Sequence, residues 1–166
     1  MARASLSHET MRDLAIRRGT VRDAERISTL IITLAEEFIV NEFTTAGRLH
    51  FLADHSPAKV EQRLQGDFRF YLAEDVHELV AVGAMRSNSH LYYLFVAKPY
   101  HRRGLARHLW SQMKAESLAL GQPDKFTVNA SNYAVHAYEK LGFRRSQPPK
   151  ELNGVIYNPM EFVVDG

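Results

Sequence analysis

Ile27, Leu30, Ile31, Leu34 and Phe38 fall three and four residues apart, the spacing of one apolar stripe along an amphipathic helix. Thr20, with Asp23 three residues on, supplies a capping-box-like start for it, the Asp being a weaker partner than Glu. Ser56 as N-cap and Pro57 at the first helical position open another helix, reaching to about Gln65. Leu105, Leu109 and Met113, beside Ala106 and Trp110, mark a further helix that stops at Gly121 with Pro123 beyond. Residues 132–141 read as a last helix closed by Gly142. Between these, short β-branched and aromatic runs predict strands at residues 14–18, 68–74, 79–86, 90–96 and 125–129. The second to fourth of these form an antiparallel meander. Asn153-Gly154, between residues 143–151 and 155–164, is a strong hairpin signal. Residues 39–55 carry no clear period and are expected to form a short helix and loop beside the substrate. The element order is βααβββαβαββ.

Composition narrows the function without naming it. A chain of 166 residues fits one domain, at 14–166, preceded by a flexible extension at 1–13. An apolar content of 45% with 24% charged residues is ordinary for a soluble globular protein. The formal net charge of +2 gives no global attraction for nucleic acid, so a nucleic-acid partner is disfavoured. Neither a signal-peptide core nor a membrane-length apolar run is present, which makes the cytoplasm the default location and excludes a membrane-spanning role. Cysteine is absent, so disulfides, a thiolate zinc site and a cysteine-linked acyl intermediate are all excluded. Among eight histidines, His50 and His55 with Asp54 form the tightest grouping, but their spacing matches no standard metal motif, and no metal is expected.

The chemistry concentrates in the basic turn after the strand at 90–96. Pro99 ends that strand, and a helix begins near Gly104. Helix starts present unpaired backbone N–H groups and the positive end of the dipole, a seat for phosphate or pyrophosphate. Gly104 lets an anion come close to the backbone, and Arg102, Arg103 and Arg107 add charge. On spacing alone, a solvated basic helix start fits equally well. Neither a Gly-Lys-Ser/Thr loop nor a Gly-x-Gly-x-x-Gly run is present.

His101-Arg102-Arg103-Gly104-Leu105-Ala106 resembles the acyl-CoA-binding core Gln/Arg-x-x-Gly-x-Gly/Ala of the GNAT superfamily of N-acetyltransferases; His101 departs from it. A second block, residues 129–143, resembles the family's later motif and ends in Tyr138-Glu139-Lys140-Leu141-Gly142-Phe143. The C-terminal run from Glu151 to Met160 resembles a small bacterial-type subgroup whose acceptors are poorly defined. The resemblance spans roughly residues 14–164. It implies an α/β fold with a central mixed, mostly antiparallel sheet, in which parallel strands 4 and 5 splay apart between flanking helices. It also implies that the pantetheine arm of acetyl-CoA lies in that splay, against the main chain of Leu94, Phe95 and Val96. Main-chain amides over Arg102, Arg103, Gly104, Leu105, Ala106 and Arg107 would hold the pyrophosphate, and Asn132 would contact CoA near its sulfur.

Acyl transfer from a thioester to an amine needs positioning, an exit for the amine proton, oxyanion stabilisation and a proton for the thiolate. By the resemblance, Tyr138 is the general acid. It also shares a helical face with Ala134, Val135 and Leu141, so its ring packs in the core whatever its hydroxyl does. The fourth strand carries no carboxylate. His90 is the candidate base there, with a hydrogen-bonded structural histidine as the equal alternative. Glu36 and Glu37 read as a solvated helix end rather than as catalytic groups. The reading is direct transfer from acetyl-CoA to a primary amine of a small molecule or peptide in a ternary complex. A CoA-binding module that transfers nothing, and an enzyme for a protein or aminoacyl-tRNA amine, are the alternatives. A homodimer and an acyl group longer than acetyl are left open.

Overall fold

The computed structural model describes residues 14–165; the expected extension at 1–13 lies outside the described residues. Strands and helices alternate as follows: β1 (Ala15–Arg18), α1 (Ala24–Phe38), α2 (Thr45–Asp54), α3 (Pro57–Gln65), β2 (Phe68–Asp75), β3 (Glu78–Arg86), β4 (His90–Val96), α4 (Leu105–Gly121), β5 (Lys125–Ala130), α5 (Val135–Lys140), β6 (Arg144–Arg145), β7 (Lys150–Leu152) and β8 (Val155–Val163). The sheet runs β1-β2-β3-β4-β5-β8-β6, with β7 added on β8. Every pairing is antiparallel except β4 with β5. This is the mixed, mostly antiparallel α/β sheet that the resemblance implies.

Two apolar clusters flank the sheet, because successive strand residues point to opposite faces. Ile27 and Ile31 of α1, with Val60 of α3, pack on Phe70, Leu72, Val82 and Tyr93. On the other face, the predicted α4 stripe of Leu105, Leu109 and Met113, with Trp110, packs on Tyr71, Phe126, Val128 and Phe143. The start of α1 is fixed by Asp23, which accepts from the Thr20 N–H at 2.8 Å and from both terminal nitrogens of Arg17 at 2.7 and 2.9 Å. These bonds, chiefly those from Arg17, lower the Asp23 pKa to about 2. Among the described residues no helix is long and apolar enough to cross a membrane.

One undecided segment takes the expected helix and loop, and two others differ from expectation. The undecided stretch contains a ten-residue helix, α2, capped by Thr44, whose side chain accepts from the Gly47 N–H at 2.9 Å. Residues 132–134 form a 3₁₀ turn capped by Ser131, so the last helix is six residues long. The long C-terminal hairpin is broken in two. Arg145 pairs with Met160 and Lys150 with Tyr157, which leaves four residues opposite two. Pro148 and Pro149 lie in that gap and have no N–H to give a ladder.

Candidate active site

β4 and β5 pair only at His90 with Thr127 and Leu91 with Val128, and then part. A cavity of about 900 Å³ opens where they separate. One wall carries Leu94, Phe95, Val96 and the turn into α4. The facing wall carries Ala134, Ala137, Tyr138 and Leu141. Beyond β4 the cavity continues between α2 and the β7–β8 turn.

The free edge of β4 follows from its pairing. The Ala97 N–H donates to Val80 at 2.8 Å, and Phe95 lies opposite Val82. Backbone groups alternate in direction along an antiparallel strand. Phe95 therefore turns its amide and carbonyl to β3, while Leu94 and Val96 turn theirs into the gap. His101 Nε2 lies 2.5 Å from the Val96 carbonyl and donates to it. The residue that departs from the family core thus covers one acceptor on this edge.

Lys98–Tyr100 form a 3₁₀ turn, and Arg102 (φ 60°) and Gly104 (φ 82°) both sit in the left-handed region. That conformation turns the chain sharply into α4. The His108 N–H makes the first i→i−4 bond, to Gly104 at 2.9 Å, so the amides of Leu105, Ala106 and Arg107 precede the helical ladder. A Cβ on Gly104 would meet no atom within 4 Å. Glycine is favoured here by its φ, and the space beside it is open. Arg102, Gly104, Leu105, Ala106 and Arg107 line the cavity. Arg107 also donates to the Lys140 carbonyl at 2.8 Å, tying the start of α4 to the end of α5. Arg103 and Asn132 are outside the lining. The Asn132 carboxamide oxygen accepts from buried Asn158 at 2.7 Å, and Asn158 also holds the Ala130 carbonyl and Arg145.

Tyr138 lines the cavity, and its ring packs edge-on to Phe143 at 5.7 Å. Burial pushes its phenol pKa upward, which keeps the proton on oxygen at neutral pH. His90 sits at the closed end of the splay, its Nδ1 2.7 Å from the Thr127 hydroxyl. Burial, and then the Arg86 charge, lower its pKa to about 4, leaving a neutral imidazole of weak basicity. Glu36 and Glu37 pair with Arg48 (3.6 Å) and Lys98 (3.3 Å) as half-exposed surface ions.

The sequence does not anticipate the polar chain beneath α2. Arg63 donates to the Tyr93 hydroxyl at 2.9 Å and to the Asp54 carboxylate at 3.0 Å. The Tyr93 hydroxyl is in turn hydrogen-bonded to His55 Nδ1, 2.6 Å away. His55 Nε2 faces Asp54 Oδ2 at 3.9 Å. Burial and the neighbouring Arg63 lower His55 to about 4. His55 is thus a buried strut, held also by Ser28, whose hydroxyl donates to its carbonyl at 2.6 Å. Asp54 is presented to the cavity, the only carboxylate among its described lining residues. His50, Asp54 and His55 do lie near one another, yet among the described residues no group of His, Asp and Glu has metal-binding geometry.

α2 and the β7–β8 turn touch backbone to backbone. The Thr44 N–H donates to the Gly154 carbonyl at 3.3 Å. A Cβ on Gly47 would stand 2.1 Å from that same oxygen, and one on Gly154 would stand 2.2 Å from the Thr44 hydroxyl.

Solved structures share this architecture. An N-acetyltransferase from Rhodopseudomonas palustris superposes with a TM-score of 0.78 at 21% identity, covering 90% of this chain and 95% of that one. The PaiA N-acetyltransferase of Thermoplasma acidophilum, solved with coenzyme A, gives 0.74 at 14% identity, over 91% and 99%. A spermidine N-acetyltransferase chimera from Vibrio cholerae gives 0.61 at 16%, over 91% and 95%. A comparison with curated proteins returns no match. A profile for the acetyltransferase (GNAT) domain matches residues 39–164, which run from the end of α1 through both walls of the splay. The chain belongs to the GNAT family and is an acetyl-CoA-dependent acetyltransferase.

Proposed function

We propose that the protein transfers an acetyl group directly from acetyl-CoA to a primary amine of a small molecule or peptide, both substrates being bound together in the cytoplasm. The parting of β4 from β5 after two paired residues carries this reading, because it leaves a strand edge and a helix start in one cavity. The amide and carbonyl of Leu94 and the amide of Val96 pair with the pantetheine, the Val96 carbonyl being covered by His101. The first-turn amides of α4, with Arg102, seat the pyrophosphate. Arg103 adds longer-range charge there, and Asn132 acts from behind the wall, setting the position of the turn that follows β5.

In the reaction, the amine lone pair attacks the thioester carbon, the N–C bond forms, and the C–S bond breaks with its electron pair going to sulfur. Tyr138 donates its proton to that thiolate. The nitrogen proton leaves from the tetrahedral intermediate, whose ammonium is far more acidic than the free amine. A weak base therefore suffices, and neutral His90 fills that role with Nδ1 anchored on Thr127.

Two measurements test the reading together. Acetyl-CoA at about 100 times its Kd should stabilise the fold by roughly 2.7 kcal/mol, and ATP, which lacks the pantetheine arm, by much less. Release of CoA thiol should then depend on an added amine. Equal stabilisation by ATP, or thiol release indifferent to every amine tested, would overturn it.

A further inference from the structure

We infer that the acceptor is a small monoamine on an aromatic or otherwise apolar skeleton, and not a polycation such as a polyamine or aminoglycoside. This rests on the amine-acetylation reading above. The acceptor half of the cavity, between α2, the start of β4 and the β7–β8 turn, is lined by Phe43, Phe51, Tyr92 and Ile156. Phe43 and Phe51 lie with ring centroids 5.7 Å apart, and Phe51 packs on the His55 ring at 4.3 Å. Such a surface gains free energy by covering apolar area and loses it by desolvating charge.

The cation-binding capacity of this half is small and largely used. Asp54 supplies the negative charge, and one of its oxygens already takes Arg63 at 3.0 Å. The Tyr92 ring already faces two guanidinium groups, Arg63 at 5.2 Å and Arg86 at 5.4 Å. His55 and His90 are neutral at physiological pH, with pKa values lowered to about 4. One carboxylate oxygen, Oδ2, remains to orient one amino group. A second or third ammonium would enter beside Arg63 and Arg86 with nothing of opposite charge to meet it. A monoamine instead places its nitrogen at Asp54 and its body on Phe43 and Phe51. The products are the N-acetyl amide, CoA thiol and one proton: the ammonium nitrogen gives up two protons, one matched by the proton that sulfur gains and the other released to solvent.

The test compares phenethylamine with spermidine at saturating acetyl-CoA, in the wild-type protein and in Asp54→Asn and Phe51→Ala. Wild-type kcat/KM should favour phenethylamine by at least about tenfold, the size of one lost charge-assisted contact. Asp54→Asn, which keeps the shape, should raise KM for phenethylamine by about tenfold while acetyl-CoA affinity stays unchanged. Phe51→Ala should also raise KM for phenethylamine while leaving that for spermidine unaltered. A preference for spermidine, or an unchanged KM in Asp54→Asn, overturns the inference. If no amine releases thiol, calorimetry on the CoA-saturated protein separates the two readings. Phenethylamine binding that Asp54→Asn abolishes would retain the acceptor site and overturn the transfer reading. Absence of phenethylamine binding would overturn the inference itself.

Discussion

The two halves of the cavity are built by opposite means. The donor half, from the end of β4 to the start of α4, is made of consecutive residues that present backbone groups to the cavity. Its shape comes from a strand end, a turn with Arg102 and Gly104 at positive φ, and a helix start. The acceptor half is assembled from α2, α3, β4 and the β7–β8 turn, segments as much as 100 residues apart in the chain by sequence position. It is held by the Arg63–Tyr93–His55 chain and by the contact of Gly47 with Gly154. A site made of consecutive backbone tolerates varied side chains, whereas one made of remote side chains is specified by each of them.

Chemistry at the seam between the halves should show the largest effect. Tyr138→Phe keeps the ring against Phe143 and removes only the hydroxyl. Turnover should fall by roughly 10²–10⁴-fold, while melting temperature and acetyl-CoA affinity stay nearly constant. Unchanged turnover, with chemistry shown to be rate-limiting, would return Tyr138 to packing alone.

Single methyl groups should dissociate the halves. Gly47→Ala drives a Cβ into the Gly154 carbonyl, so the β7–β8 turn must shift, at a cost of about 1–3 kcal/mol. KM for the amine should rise while acetyl-CoA affinity is retained. Gly104→Ala meets no atom, so it carries only the left-handed strain of about 1–2 kcal/mol. It should weaken acetyl-CoA binding and leave amine KM alone. Calorimetry with CoA, beside amine titrations, reads both, and equal effects of the two variants on both ligands would erase the distinction.

The last effect is on stability against pH. Folded His55 and His90 accept protons near pH 4, whereas in the unfolded chain they do so near 6.5. Between those values the unfolded state binds more protons, so stability should fall as pH drops from about 6.5 to about 4. Each kcal/mol lost lowers the melting temperature by roughly 2–4 °C at this size. His90→Gln should flatten that slope; an identical slope would mean that His90 titrates normally in the fold.

The same contrast explains what could be read from the sequence. The stripes of α1 and α4, the strand meander and the turn into Gly104 are local patterns, and all appear where expected. α2 has no such stripe; Gly47 is its one buried residue, and the helix is held by the Thr44 cap and a glycine contact from across the molecule. Asp54, Tyr93 and Arg63 were equally illegible as a group, since each is ordinary in its own segment. The interrupted C-terminal hairpin is different, because Pro148-Pro149 was a visible signal that outweighs Asn153-Gly154 over that stretch.

In β4, Ala84 opposes Tyr93 while Met85 opposes Leu91, so Tyr92 is an extra residue, a bulge. Leu91, Leu94 and Val96 consequently pack on the α4 face, and Tyr92, Tyr93 and Phe95 on the α1 face. An unbroken strand would put Leu91 with Tyr93 and Phe95. The bulge thus acts as a frameshift in side-chain parity. Ahead of it the strand is phased for its short pairing with β5, and behind it the strand is phased to send Tyr93 to His55 and leave Leu94 and Val96 facing the gap. Deleting the single residue Tyr92 would restore a regular ladder with Leu91, Leu94 and Val96 still on one face and Tyr93 and Phe95 on the other, and would cost the acceptor half one aromatic ring.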